Sequence, residues 1–188
     1  EVLYETDLSG ITIQASSDSE SCKPFNVLSG NYRSNVPDTC LALDYLMENL
    51  LPVSFFESEY FVAPLIEGLS CSYRAIALYD NTQINRNNSE TINLNKGEFW
   101  EWNHVEYGQH FLSNEDFCLV RYIEGNECTP AGDGDPSMSI VFPLLEQEQN
   151  IGFAAVPTEV VSNFYINIVC HTSSIGQLEL NGESLSTD

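Results

Sequence analysis

Residues 73–79 read Tyr-Arg-Ala-Ile-Ala-Leu-Tyr, a short run rich in side chains that form strands. Residues 117–123 (FCLVRYI) and 164–170 (FYINIVC) have the same character, and residues 8–15 (LSGITIQA) alternate apolar and polar side chains. Within residues 178–185, an Asn-Gly pair separates two alternating arms, which is the strongest short-range signal for a β-hairpin. Together these patterns predict an all-β chain.

Residues 40–51 (CLALDYLMENLL) have a different periodicity. Their apolar side chains fall on one face of a helix: Leu43, Leu46, Met47 and Leu50. Asp38 is placed to cap the start of such a helix and Pro52 is placed to end it. The sequence therefore predicts one short helix near residues 40–50, with its apolar side in the core.

The chain contains a faint internal repeat. Residues 52–64, which begin with Pro-Val-Ser and end with Val-Ala-Pro, resemble residues 143–157 at an offset of about 92 residues. This repeat predicts two related β-sandwich-like units of about 90 residues each, formed by residues 1–90 and residues 91–188.

The chain is strongly acidic. It has 28 Asp and Glu residues against 6 Lys and Arg, which gives a formal net charge of -22. Such a surface repels the phosphates of nucleic acids and anionic lipid headgroups, so we expect no nucleic-acid binding. Since the sequence also lacks an apolar run of about 18 residues, we expect no membrane insertion. Divalent cations and basic partners are compatible with this charge.

Six cysteines are spread along the chain, without the spacing of zinc ribbons or redox dithiols. They are Cys22, Cys40, Cys71, Cys118, Cys128 and Cys170. An even number of widely spaced cysteines predicts disulfides and an oxidising compartment, with several pairings open, among them a local Cys118–Cys128 pair. The sequon that begins at Asn87 predicts N-glycosylation and agrees with a secreted, extracellular chain.

The sequence has none of the common catalytic motifs. It lacks a nucleophile elbow, a His-Glu-x-x-His pair and a phosphate-binding glycine loop. His104 and His110 lie near acidic residues, where hydrogen-bonded or solvated histidines are more common than a metal site. We therefore expect a chain that is not an enzyme and that needs no cofactor other than calcium, if calcium binds.

Asp133 and Asp135 are the candidate calcium ligands. They flank a glycine, and this spacing presents carboxylate oxygens from a turn to a hard cation. The alternative is a turn in which each Asp accepts a hydrogen bond from its own backbone.

Trp100 and Trp102 are the candidate ligand- or partner-binding residues. They lie two residues apart, so both indoles share one face of a predicted strand. If that face is exposed, it suits sugar rings or the anchor residues of a protein partner. If it faces inward, both tryptophans belong to the core.

A set of short stretches occurs in one order along nearly the whole chain. The stretches are DLSGITI at 7–13, LPVS at 51–54, EYFVAP at 59–64, LNKGEF at 94–99, GDPSM at 134–138, PLLEQ at 143–147 and LNG at 180–182. This ordered set resembles the N-terminal domain of the IgGFc-binding protein family, found in secreted mucus and adhesive glycoproteins and in bacterial surface proteins. The chain departs from the family pattern at Phe55-Phe56, where many members have Trp-Gly, and in its extra cysteines. The resemblance places family cysteines at Cys40 and Cys128.

The resemblance implies an extracellular β module without catalytic residues. We expect a structural or adhesive glycoprotein module that mediates protein–protein assembly in mucus, matrix or a surface filament. Its expected partners are other extracellular glycoproteins or copies of itself. The alternative is a calcium-assisted, lectin-like module that recognises glycans or proteins through the aspartate pair or the tryptophan pair.

Overall fold

The structure is a computed structural model that describes residues 6–15, 24–144 and 164–185. It divides into two compact units, Glu1–Phe153 and Ala154–Asp188, which are described separately below. Strands in antiparallel sheets dominate the regular structure of the described residues, which confirms the all-β prediction.

The first strands described in the first unit form a hairpin, in which β1 (Leu28–Asn35) pairs antiparallel with β2 (Leu43–Asn49). The helix predicted near residues 40–50 is therefore wrong. Over so short a run, the apolar positions fit both a helical face and a strand alternation, and the ladder to β1 decides for the strand. Gly30 permits this ladder, because a Cβ atom at Gly30 would lie 1.9 Å from the carbonyl oxygen of Leu46.

Two four-stranded antiparallel sheets follow. The first consists of β3 (Glu59–Val62), β5 (Thr82–Arg86), β6 (Glu90–Leu94) and β8 (Gln109–Ser113), in the order β3-β8-β5-β6. The second consists of β4 (Cys71–Ala77), β7 (Phe99–Val105), β9 (Phe117–Ile123) and β10 (Ser137–Ile140), in the order β10-β9-β4-β7. The strands predicted from residues 73–79 and 117–123 are thus confirmed as β4 and β9.

These two sheets enclose one hydrophobic core. Tyr60, Ile84 and Phe111 are buried on the first sheet, and Tyr73 and Phe117 are buried on the second. Aromatic contacts join the sheets, with ring centroids 4.8 Å apart for Tyr60 and Phe117 and 5.8 Å apart for Tyr73 and Phe111. Inward-facing side chains alternate along each strand, so this part of the first unit is a β-sandwich.

The structure divides the chain at a different place from the repeat. The predicted boundary between residues 90 and 91 falls in the β5–β6 hairpin, since β6 begins at Glu90. Strands from both sides of this boundary share both sheets, as the pairing of β4 with β7 and β9 shows. The first compact unit accordingly extends to Phe153. Most of the second copy of the repeat, residues 145–157, lies outside the described residues.

The predicted strand at residues 8–15 is not formed. Residues 9–10 form a turn, and residues 11–15 have no ladder partner in the described part of the first unit. Gly10 has a φ of +83°, and a Cβ atom there would lie 2.1 Å from the carbonyl oxygen of Gly97. The backbone at Gly10 therefore lies close to the backbone at Gly97. We call residues 6–15, which have no regular secondary structure, the N-terminal strap.

The described part of the second unit, residues 164–185, is small. It contains a 3-10 helix at Thr172–Gln177 and a hairpin of β11 (Glu179–Leu180) and β12 (Glu183–Ser184). Asn181 and Gly182 have φ angles of 53° and 85°, as a type I′ turn requires, so the predicted hairpin is confirmed. Residues 164–170, predicted as a strand, have no regular structure here.

Candidate interaction surface

The β1–β2 hairpin exposes an apolar surface, which we call the hairpin face. It consists of Leu28 (63% exposed), Tyr32 (83%), Leu43 (46%), Tyr45 (51%) and Met47 (47%). Side chains alternate along a strand, so the odd-numbered residues of β2 point to this face, whereas Asp44, Leu46 and Glu48 point to the other. None of the five side chains of the hairpin face is charged, and the acidic residues of β2 lie on the opposite side.

Contacts within the hairpin face organise its aromatic residues. The rings of Tyr32 and Tyr45 meet edge to face, with centroids 6.5 Å apart and an interplanar angle of 78°. The hydroxyl of Tyr45 donates a hydrogen bond of 3.3 Å to the sulfur of Met47. These side chains therefore reduce each other's freedom before any partner binds, which lowers the entropic cost of binding.

The hairpin is anchored to the rest of the first unit by its ends and its inner side. Leu46 is 4% exposed on that inner side. The β1–β2 connection carries Cys40, which forms a disulfide with Cys128, and the carbonyl oxygen of Val36 accepts a 3.0 Å hydrogen bond from Gly125 N. A covalent bond and a buried apolar residue thus fix the side opposite the hairpin face.

A cavity of about 1520 Å³ is lined by the inner side of the hairpin, by residues 6–14 and by the outer side of the β10-β9-β4-β7 sheet. Arg74 lies in its wall. The guanidinium forms salt bridges of 2.9 Å with Asp7 and 2.7 Å with Glu101, and it lies 4.3 Å from the centroid of the Phe99 ring. Arg74 therefore connects the N-terminal strap to the outer side of the sheet.

The Arg74 contacts shift two pKa values in opposite directions. Partial burial acts to raise the pKa of Asp7, but hydrogen bonds from Ser9 and the charge of Arg74 outweigh it and lower that pKa. Burial acts to lower the pKa of Arg74, but the hydrogen bond and charge of Glu101 outweigh it and raise that pKa. The cluster therefore favours the charged forms of both partners.

Glu124 is a fully buried carboxylate just after β9. It accepts hydrogen bonds of 2.7 Å from the hydroxyls of Ser70 and Ser72, and bonds of 2.7 Å and 2.9 Å from the backbone N and Nδ1 of His104. His104 has a φ of +56° beside a bulge in the β4–β7 ladder, so local strain accompanies its contact with Glu124.

The whole chain, residues 1–188, matches the family described as IgGFc binding protein. The chain belongs to this family. Membership indicates an extracellular protein-binding module. Comparison with curated proteins and with solved structures gives no significant match. Across the described residues, no helix is long and apolar enough to cross a membrane.

The structure contains a disulfide between the two cysteines to which the resemblance points. Cys40 pairs with Cys128, so the local Cys118–Cys128 alternative is excluded. Cys71, Cys118 and Cys170 are free thiols in the described part of the chain, and Cys22 lies outside it. Burial raises the pKa of Cys71 to about 11 and that of Cys118 to about 12, so both thiols stay protonated near neutral pH.

In this family member the two tryptophans of β7 differ in burial. Trp102 is 6% exposed, packs against Phe111 with ring centroids 5.3 Å apart, and donates a 2.8 Å hydrogen bond from Nε1 to Glu90. Trp100 is 46% exposed. Trp102 thus belongs to the core and Trp100 reaches the surface, where its role in ligand or partner binding stays a prediction.

Asp133 and Asp135 are both exposed and flank Gly134, which has a φ of +119°. The carbonyl oxygen of Asp133 accepts a hydrogen bond from the hydroxyl of Thr129. Within residues 6–15, 24–144 and 164–185, no three His, Cys, Asp or Glu side chains form a group that suits a metal ion. Calcium binding by the two aspartates stays a prediction.

Asn87 lies in the tight turn between β5 and β6. Its Nδ2 donates a 2.9 Å hydrogen bond to Oε1 of Gln109, and its Oδ1 accepts a 2.7 Å bond from the backbone N of His110. The atom that a glycan would modify therefore already has a protein partner. Glycosylation at Asn87 stays a prediction.

The hairpin face, Arg74 and Glu124 are not predictable as functional features from the sequence alone. The apolar residues of β2 also fit a helical period, which predicts that they face the core. In the structure, residues 43, 45 and 47 are exposed and alternate with polar or buried neighbours. The acidic residue at the end of β9 has no distinguishing motif among 28 acidic residues, and only the fold shows that it is buried.

Proposed function

We propose that this chain is a secreted structural or adhesive glycoprotein module that assembles with other extracellular proteins and that acts by binding and not by catalysis. The hairpin face carries the proposal. It is an anchored surface of five uncharged, largely exposed side chains on a chain of net charge -22. Membership of the IgGFc-binding family supports the extracellular, protein-binding part of the proposal.

The composition of the hairpin face suits protein recognition. Tyrosine and methionine are enriched in the cores of protein interfaces. Tyrosine offers a large contact area at a small cost in conformational entropy, and methionine adapts its shape to the partner. Tyr32 and Tyr45 are the candidate anchors, because aromatic residues at the centre of an interface commonly account for most of its binding energy.

The charge of the chain adds a second level of selection. A surface with 28 acidic and 6 basic residues repels acidic macromolecules and attracts basic ones at long range. This field acts on the rate of encounter, whereas the uncharged hairpin face acts on the lifetime of the complex. Extracellular proteins with a net negative charge near the contact should therefore bind this chain more slowly than neutral or basic ones.

Binding of purified extracellular glycoproteins from the native source, measured by biolayer interferometry, tests the proposal. We expect saturable binding by the chain, weakened at least about tenfold by the Tyr32→Ser/Tyr45→Ser double substitution. Tyr107→Ser, which removes a 78% exposed tyrosine outside the hairpin face, serves as the matched control.

Two results would contradict the proposal. One is no saturable binding to any of the glycoproteins, and the other is binding that is indifferent to both tyrosine substitutions. Binding to free glycans that requires calcium and is lost in Asp133→Asn/Asp135→Asn would instead support the lectin-like alternative.

A further inference from the structure

The hairpin face has the area of one side of a small protein interface. Its exposed portions total roughly 600 Å², if a large apolar or aromatic side chain presents about 200 Å². That is near the upper end for apolar patches on monomeric proteins, at about 300–600 Å². Two such faces in contact bury about 1,200 Å², which is the lower limit of a specific interface.

The distribution of charge determines where two copies of this chain can meet. Each copy has a net charge of -22, so most contacts between copies bring acidic residues together. The hairpin face is an exception, because its five side chains are uncharged and Asp44 and Glu48 point to the opposite side of β2. Two copies can therefore cover this face without pairing the carboxylates of β2.

The irregularity of β1 favours contact between faces over pairing between strand edges. Within the described residues, β1 pairs only with β2, so its other edge is free. However, the register shifts between Asn31 and Ser34, and the exposed Arg33 lies within this irregular part of the strand. Bulges and charged side chains on an edge strand oppose the addition of another strand. Stacking of the two hairpins leaves the free edge unused.

We propose that two copies of this chain associate through the hairpin face in an isologous, face-to-face contact. The proposal rests on the proposed assembly function and names its partner as a second copy. In this contact the tyrosines of one copy pack against the same patch of the other. Since net charge opposes the contact and apolar burial drives it, association becomes tighter as salt rises, whereas binding to a basic partner becomes weaker.

Sedimentation velocity of the full chain tests this contact. Wild-type protein is examined from roughly 1 to roughly 100 μM, at about 50 mM and about 500 mM NaCl. We expect a monomer–dimer equilibrium that is tighter at the higher salt. Tyr45→Ser/Met47→Ser should weaken dimerisation at least about tenfold. The control Tyr107→Ser/Leu112→Ser removes two exposed side chains outside the hairpin face and should leave the dimer unchanged.

Because each substituted side chain is at least 43% exposed, the fold should persist, as near-UV circular dichroism and the intact Cys40–Cys128 disulfide will show. A second variant, Tyr32→Arg, adds a positive charge to the same face and should also prevent dimerisation, because two copies then bring like charges together. A wild type that is monomeric under all conditions, or a dimer that survives both variants, would overturn the proposal.

The two proposals fail in different ways. A monomer that still binds extracellular glycoproteins through the hairpin face overturns self-association and leaves the assembly function intact. A dimer that depends on the hairpin face, in a chain that binds none of those glycoproteins, supports self-association and overturns heterologous binding.

Discussion

Glu124 is a fully buried carboxyl group that depends on a few local hydrogen bonds. It has no Lys or Arg among its hydrogen-bond partners in the described residues, and all four bonds come from Ser70, Ser72 and His104. Removal of any donor leaves part of the carboxylate unpaired in a fully buried site, which costs more than the loss of an exposed bond. The backbone of His104 has a left-handed conformation where it contacts Glu124.

Glu124→Gln should reduce the free energy of unfolding by about 2 kcal/mol or more, because the amide NH₂ group faces donors that require an acceptor. Urea denaturation followed by circular dichroism measures the change. Glu127→Gln, at an exposed position three residues further on, should change stability by less than about 0.5 kcal/mol. Equal effects of the two substitutions would show that the buried hydrogen bonds of Glu124 do not matter to stability.

Asp7 makes the stability of the fold depend on pH in the acidic range. Its pKa is lowered in the folded chain, so its contribution to stability is present above the unfolded carboxyl pKa of about 3.9 and is lost as the pH falls through the lower, folded value. Because the Asp7 side chain is 48% exposed, Asp7→Asn should cost less than about 1 kcal/mol at pH 7.

The cost of Asp7→Asn should disappear as the pH falls through the lowered pKa of Asp7, because the wild-type carboxyl becomes protonated there. Urea midpoints of wild type, Asp7→Asn and Asp38→Asn, compared across this range, provide the measurement. Asp38 is exposed and serves as the control for a general effect of net charge. A cost of Asp7→Asn that does not change with pH would exclude the Arg74 salt bridge as its cause.

At the level of strands and hairpins, the parts of the fold that were predictable are those with a local signal. The Asn-Gly turn at residues 181–182 and the apolar runs of β4 and β9 carry their signals within a few residues. The strand at residues 43–49 does not, because Leu43, Leu46 and Met47 satisfy a helical period and only pairing with the distant β1 selects the strand. The sheet order and the burial of Glu124 are likewise tertiary outcomes.

Gly30→Ala should destabilise the β1–β2 hairpin, because the new Cβ atom would lie 1.9 Å from the carbonyl oxygen of Leu46. Relief of that clash requires the strands to separate, at a cost of about 1–3 kcal/mol. Hydrogen exchange should show faster exchange at residues 28–35 and 43–49. Gly176→Ala, where no atom lies within 4 Å of the new Cβ, is the matched control. Unchanged protection in Gly30→Ala would contradict the close approach.

Over the whole molecule, a single long-range disulfide within the described residues limits the expansion that the large net charge favours. Cys40 and Cys128 are 88 residues apart in sequence, so their bond closes a loop that contains most of the sandwich. The charge of -22 favours expansion of the chain, particularly at low salt. The disulfide limits that expansion in the unfolded state as well as in the folded one.

Cys40→Ser/Cys128→Ser should lower the free energy of unfolding by about 2–4 kcal/mol, because the unfolded chain regains the entropy of a long loop. The measurement is urea denaturation at two salt concentrations, and the loss of stability should be greater at the lower one. Cys170→Ser removes a free thiol and should have a small effect. A double variant as stable as the wild type would mean that the disulfide does not constrain the unfolded chain.

Calcium titration followed by isothermal calorimetry distinguishes a specific site at the aspartate pair from unspecific attraction of calcium to the acidic surface of the chain. If Asp133 and Asp135 bind calcium, the heat of binding should disappear in Asp133→Asn/Asp135→Asn and persist in the control variant Glu127→Gln, which removes one exposed carboxylate elsewhere. Weak heats that are the same in the wild type and both variants would indicate unspecific attraction of the cation to an acidic surface, and would remove the calcium site.

The two tryptophans, one buried and one half-exposed, provide a built-in optical readout. Trp102, at 6% exposure, should emit at short wavelength and resist acrylamide, whereas Trp100, at 46%, should emit at longer wavelength and be quenched. Since the chain has only these 2 tryptophans, single Trp→Phe variants separate the two signals. One indole then reports unfolding of the sandwich and the other reports any partner that covers the outer edge of β7, so both events can be followed in one unlabelled sample.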